Sequence, residues 1–175
     1  MPKEQLAASG TVRGVFFSLG TTPSSDPQFD CAKAIIDLFN QAHKTAHVAI
    51  FTLTEAGIIN AMIAAHKRGV AVSVVADNSQ SQSANNPAQA AAIKKLQQAG
   101  IDVHLAVKQT ALMHNKVAIF DGKTVSTGSF NWTAAAEKHN DENLVVIDGV
   151  QVAADYEQFV FQRVLTKETL VRPGK

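Results

Sequence analysis

The 175-residue chain is short of the residues that usually advertise a chemistry. It has one cysteine, so no disulfide can close within it and no cage of thiolates can hold zinc. Cys31 itself reads as a small buried hydrophobe on a helix. Sixteen Lys and Arg against fifteen Asp and Glu leave a formal charge of +1, so no overall field announces a polyanionic partner. Affinity for one has to come from a local patch. No apolar run reaches the roughly 18 residues of a membrane-crossing helix, and residues 1–10 lack the apolar core of a secretion signal. Stable membrane insertion is therefore not expected.

What is present suits a folded domain. The chain is 46% hydrophobic and 18% charged, and a chain of this length buries roughly 70% of its unfolded surface. No charge block or long linker divides it, which predicts a tail at 1–10, one domain over 11–165 and a second tail at 166–175.

The apolar pattern alternates between strand and helix periods. Residues 11–19 read as a strand, 20–30 as a loop, and 31–43 as a helix with Ala34, Ile35, Leu38, Phe39 and Ala42 on one face. A β-rich run at 47–54, a helix at 56–67 and an apolar strand at 70–76 form a parallel crossover. Residues 78–87 read as a mobile polar loop, followed by a helix to 99 and a strand at 101–107. Asp121-Gly122 between runs 116–120 and 124–127 signals an antiparallel hairpin. A strand at 143–147 and a helix at 152–164, packing through Val152, Tyr156, Phe159, Val160 and Val164, complete the order. The fold class is α/β, a mixed and mostly parallel sheet sandwiched between helices.

Chemistry concentrates in residues 113–131, MHNKVAIFDGKTVSTGSFN. His114 and Lys116 are two apart at the start of a strand, so their side chains project to the same side. Across the hairpin, Gly128, Ser129 and Asn131 offer a small residue, a hydroxyl and an amide. An ammonium with directed hydrogen-bond donors suits a tetrahedral oxyanion.

His114-x-Lys116, four residues, Asp121, six residues, then Gly128-Ser129-x-Asn131 resembles the HKD motif of the phospholipase D superfamily. Asn140-Asp141-Glu142-Asn143 before an apolar strand is similar to the acidic segment of its Nuc-type bacterial endonucleases, and the similarity spans most of 12–164. The resemblance implies that His114 attacks phosphorus to form a phosphohistidine. It implies that Lys116, Asn131 and Ser129 hold the phosphoryl oxygens, and that Glu142 accepts a proton from the other ring nitrogen of His114. Asp121 and Gly128 would support the site, Asp121 through either the turn or the substrate. Lys123 and Lys138 would form a basic rim. Trp132 reads chiefly as a core anchor, with stacking on a nucleobase as the alternative.

An attacking imidazole cannot also protonate the leaving oxygen on the opposite side, and the chain has one copy of the motif. A two-fold homodimer sharing one active site is therefore expected. No cofactor or metal is implied. The leading function is a nuclease with little sequence preference, followed by a phospholipase D-type lipid phosphodiesterase or transphosphatidylase, then a catalytically idle nucleic-acid-binding protein. The resemblance favours export, to the periplasm or beyond the cell, because many Nuc-like relatives are exported.

Overall fold

The computed structural model describes residues 9–20, 26–107, 111–167 and 169–171. Alternation along the strands sorts their side chains into two layers. In β2 (Thr45–Ile50), Val48 and Ile50 face one core and Ala49 faces the other. The larger core is covered by α1 (Cys31–Gln41), α2 (Ala56–Lys67) and α4 (Pro87–Gln98), which follows the short α3 (Asn78–Ser81). The smaller is covered by the last helical stretch, from α6 (Val150–Tyr156) into α7 (Gln162–Lys167). A short α5 (Ala134–His139) packs beside the first strand.

Between these layers lies an eight-stranded sheet in the order β1 (Thr11–Leu19), β7 (Asp141–Asp148), β6 (Thr124–Gly128), β5 (Lys116–Phe120), β2, β3 (Ala71–Asp77), β4 (Asp102–Val107), β8 (Thr169–Val171). The sheet is mixed and flanked by helices, as expected. Parallel pairing is confined to β2–β3 and β3–β4, however, and the other five of the seven described neighbours run antiparallel. In the β2-α2-β3 and β3-α4-β4 stretches a helix of 12 residues carries the chain back for a parallel return.

The helices start where local chemistry closes their free N–H groups. Asp30 accepts from Lys33 N at 2.7 Å, Glu55 from Ile58 N at 2.7 Å and Asn86 from Gln89 N at 3.3 Å, with Pro87 at the first turn. All five apolar residues predicted for the first helix face are buried.

Three stretches differ from the sequence pattern. The polar segment 78–87 begins with the helical turn α3 because the Asp77 side chain accepts from Gln80 N at 3.1 Å. The final helix is broken by a π-turn at Glu157–Phe161. That extra residue brings Phe161 into the core, stacked 4.6 Å from His47, and leaves the predicted packer Phe159 57% exposed. Glu157 secures the same turn through His47 Nδ1, 2.9 Å away. The predicted C-terminal tail contains β8, which pairs with β4.

Asp121-Gly122 makes the expected hairpin. Both residues have positive φ, 53° and 64°, and Lys123 N donates to Phe120 O at 3.0 Å. Asp121 does not reach the other motif residues. Its carboxylate accepts from the backbone N–H groups of Lys44 at 2.7 Å, Thr45 at 3.1 Å and His43 at 3.1 Å, tying the hairpin tip to the loop between α1 and β2. Partial desolvation pushes this carboxyl pKa up, but the three N–H donors and the charge of Lys123 outweigh it, leaving it below its ordinary 3.8. The stabilisation is therefore complete above that ordinary value and is lost as pH falls through the lower folded one. Asp121→Ala should cost about 1–3 kcal/mol in urea unfolding at pH 7, and the deficit should shrink in acid below the ordinary carboxylate range. A deficit independent of pH would show that the charge is not what the loop uses.

Candidate active site

β2 and β3 end, β5 begins, β6 ends and β7 begins on one edge of the sheet. This is the carboxyl edge of the parallel strands, where open α/β sheets place their ligands. The motif residues meet there. His114 is exposed, on a stretch without helix or strand just before β5. Lys116, on β5, is only 7% exposed.

The Lys116 ammonium lies 3.1 Å from each ring nitrogen of His114 and donates to the His114 backbone oxygen at 2.9 Å. It also stands 5.0 Å over the ring of Phe51, whose centroid is 4.6 Å from that of His114. Burial depresses the Lys116 pKa, and the negative charge of Glu142 partly restores it. The result is a cation held against an accessible imidazole, with an aromatic wall behind both. Phe51 was not singled out by sequence, because a phenylalanine in a β-rich run reads as core.

The other half of the motif arrives from β6. A Cβ on Gly128 would overlap the Asn143 carbonyl oxygen, so glycine lets β6 and β7 close together at the site. Ser129 N and Phe130 N then donate to Asn143 O at 3.1 and 3.3 Å. Ser129 is exposed, and its hydroxyl donates to the Glu142 carboxylate while accepting from Asn143 N at 3.1 Å. Asn131 is half-buried, and its Oδ1 is enclosed without a hydrogen-bond partner. Backbone bonds hold this segment instead. Trp132 N donates to Thr52 O at 3.0 Å, and Thr54 N and Glu55 N donate to Trp132 O at 2.8 and 2.9 Å.

Two expectations, for Glu142 and Lys123, change, and two open readings, for Trp132 and Asp121, are decided. Glu142 makes no hydrogen bond to His114: its two oxygens take Ser129 and, at 3.1 Å, Asn140 Nδ2. The serine hydroxyl intervenes, and the acid acts on Lys116 through charge. Trp132 is 1% exposed and packs edge-on to Phe39 at 6.0 Å, which removes it from any nucleobase platform. Lys123 sits at the hairpin tip, about 15 Å along the strands from the motif, with five residues of β5 between. Asp121 shares that tip. Lys138 is exposed on α5, between Asn131 and Glu142 in the chain. Among the described residues, no three His, Cys, Asp or Glu side chains group as metal ligands.

Comparison with known proteins identifies the family. The family described as cardiolipin synthase, PLD-like domain matches residues 35–164. The phospholipase D of Rickettsia conorii is 37% identical over 132 residues, covering 75% of this chain and 63% of that protein. The mitochondrial cardiolipin hydrolase of Chlamydomonas reinhardtii is 35% identical over 137 residues, covering 78% and 56%. The chain thus spans under two thirds of the length of these curated relatives. The crystal structure of Nuc from Salmonella typhimurium superposes with a TM-score of 0.79 at 28% identity, over 94% of this chain and all of that one. NucT from Helicobacter pylori gives 0.71 at 25% identity, over 89% and 98%. The one-edge assembly of imidazole, enclosed ammonium and Gly-Ser-x-Asn turn, on this sheet and in this family match, shows that the chain belongs to the phospholipase D superfamily, a family of phosphodiesterases.

Proposed function

We propose that this protein is a metal-independent phosphodiesterase that cleaves nucleic acid with little sequence preference, through a phosphohistidine on His114. The observation that carries this reading is the exposed imidazole with an enclosed ammonium 3.1 Å from both its nitrogens. A ring nitrogen of His114 attacks phosphorus, so that an N–P bond forms while the P–O bond to the leaving group breaks. Lys116 neutralises charge on the phosphoryl oxygens, Ser129 donates there once the diester displaces its contact with Glu142, and the Asn131 amide adds a further donor.

The leaving oxygen departs on the far side and needs a proton there. The single motif cannot supply it. In this reading the partner's His114, across a two-fold axis, donates that proton and then accepts one from the water that hydrolyses the phosphohistidine. Recognition of phosphate by charge and geometry leaves base edges unread, which is why little sequence preference follows. Nucleic acid is favoured as substrate because Nuc and NucT superpose with TM-scores of 0.79 and 0.71, and residues 140–143 resemble the acidic segment of the Nuc-type endonucleases.

Lipid diester cleavage is the second reading. It is supported by the names of those relatives and by Leu112, 49% exposed two residues before His114. Plasmid and single-stranded DNA incubated in EDTA, beside phosphatidylcholine and cardiolipin vesicles, should show loss of the nucleic acid alone. Vesicle hydrolysis with intact DNA would reverse the assignment. His114→Ala should lower turnover on the order of a thousandfold or more while leaving the circular dichroism spectrum and DNA binding in place. Undiminished activity would reject the nucleophile.

The shared site makes a separate prediction. Wild-type chains refolded together with His114→Ala chains should lose activity as the square of the wild-type fraction, because a mixed dimer lacks one of its two imidazoles. A linear decline would mean that each chain works alone.

A further inference from the structure

Asp77 ends β3 and is 2% exposed, yet among the described residues it forms no ion pair. A lone carboxylate in the interior costs several kcal/mol unless donors compensate it. Three do. Oδ1 accepts from Gln80 N at 3.1 Å and Ser79 Oγ at 2.5 Å, and Oδ2 accepts from Met113 N at 2.8 Å. The first two cap a helical turn. The third reaches 36 residues along the chain to the amide immediately before His114.

That amide matters because the residues around His114 have no helix or strand to hold them. Their anchors are few. Met113 is wholly buried, its N–H is held by Asp77, and Asn115 O accepts from Phe51 N at 2.8 Å. A second buried polar side chain braces the opposite side. Gln89, with no exposed surface, accepts from Leu53 N at 2.6 Å and donates to Phe51 O at 3.3 Å and Ser81 Oγ at 3.4 Å. The Ser81 hydroxyl returns to the Asp77 backbone oxygen at 2.7 Å, joining the two braces.

We infer that Asp77 is a positioning residue for the phosphodiesterase reaction: its carboxylate, through the Met113 amide, sets where the His114 imidazole stands, while Gln89 fixes Phe51 against the same ring. This rests on His114 being the nucleophile. Asp77 touches no reacting atom. Its effect is geometric, and a small displacement of a nucleophile is enough to cost a large part of the rate.

Asp77→Asn preserves size but replaces one of the two acceptor oxygens with a donor, so the Met113 and Gln80 amides can no longer both be satisfied. With bis(p-nitrophenyl) phosphate, kcat should fall on the order of 10- to 100-fold with KM changed by no more than about threefold. The His114 ring signals in NMR should move, and the circular dichroism spectrum should stay. Ser79→Ala, which removes a donor but leaves the Met113 bond, should retain activity within about twofold. Wild-type kcat in a folded Asp77→Asn protein overturns the inference.

Hydrogen exchange on the unaltered protein gives a reading that does not depend on any variant folding. The Met113 amide should exchange at least about a thousandfold more slowly than those of Ala111 and Leu112. Equal rates overturn the inference. The two ideas fail separately: an active His114→Ala variant with a protected Met113 amide sinks the nucleophile, and an inactive one with an unprotected amide sinks only the brace.

Discussion

The register of the β5–β6 hairpin is the constraint on which the site depends. Val117 opposite Thr127 places the start of one strand beside the end of the other. His114 and Lys116 on one side, and Ser129 and Asn131 on the other, are therefore neighbours for a reason of backbone pairing and not of side-chain attraction. A slip of one residue would turn Lys116 to the opposite face of the sheet. Register is held at the tip by two residues of positive φ and by the Asp121 carboxylate on three amides, and at the site by the absence of a Cβ on Gly128. Part of what fixes the geometry thus lies far from the site it shapes.

Much of the fold was legible because each element carries its own signal. The helix starts at Cys31 and Ala56, the period of the first helix face and the Asp-Gly turn are local, and each formed where its sequence pattern put it. The pairing of His114 with Lys116 was also local, set by a spacing of two. What could not be read depended on partners distant in the chain. The π-turn exists to admit Phe161 beside His47, and the partners of Glu142 are decided by which hydroxyl reaches it first. Asp121 and Trp132 kept their motif positions but lie with the scaffold, since a linear pattern records spacing and not depth. Asp77 and Gln89 look like ordinary polar residues beside a loop until the fold encloses them.

Two buried side chains of opposite charge flank the segment that carries His114, and neither neutralises the other directly. Lys116 spends its donors on the imidazole and the His114 carbonyl, and Asp77 spends its oxygens on backbone and a hydroxyl. An ion pair between them would have been the simpler way to bury both charges. Keeping them apart leaves the ammonium beside the His114 imidazole and the carboxylate on the Met113 amide. The desolvation cost is borne by a rigid sheet edge whose stability comes from the two hydrophobic layers.

The contrast between an open imidazole and a sealed ammonium divides this edge into parts that can change independently. In the reaction proposed for His114 and Lys116, the interior groups set how a diester bond is broken and not what the diester joins. Whatever lies over the open side, such as the exposed Leu112 two residues before His114, then decides which molecule comes near enough. A lineage could exchange that covering without disturbing the machinery beneath it. Proteins named for lipids and proteins named as nucleases can on this account share one interior and differ at the rim.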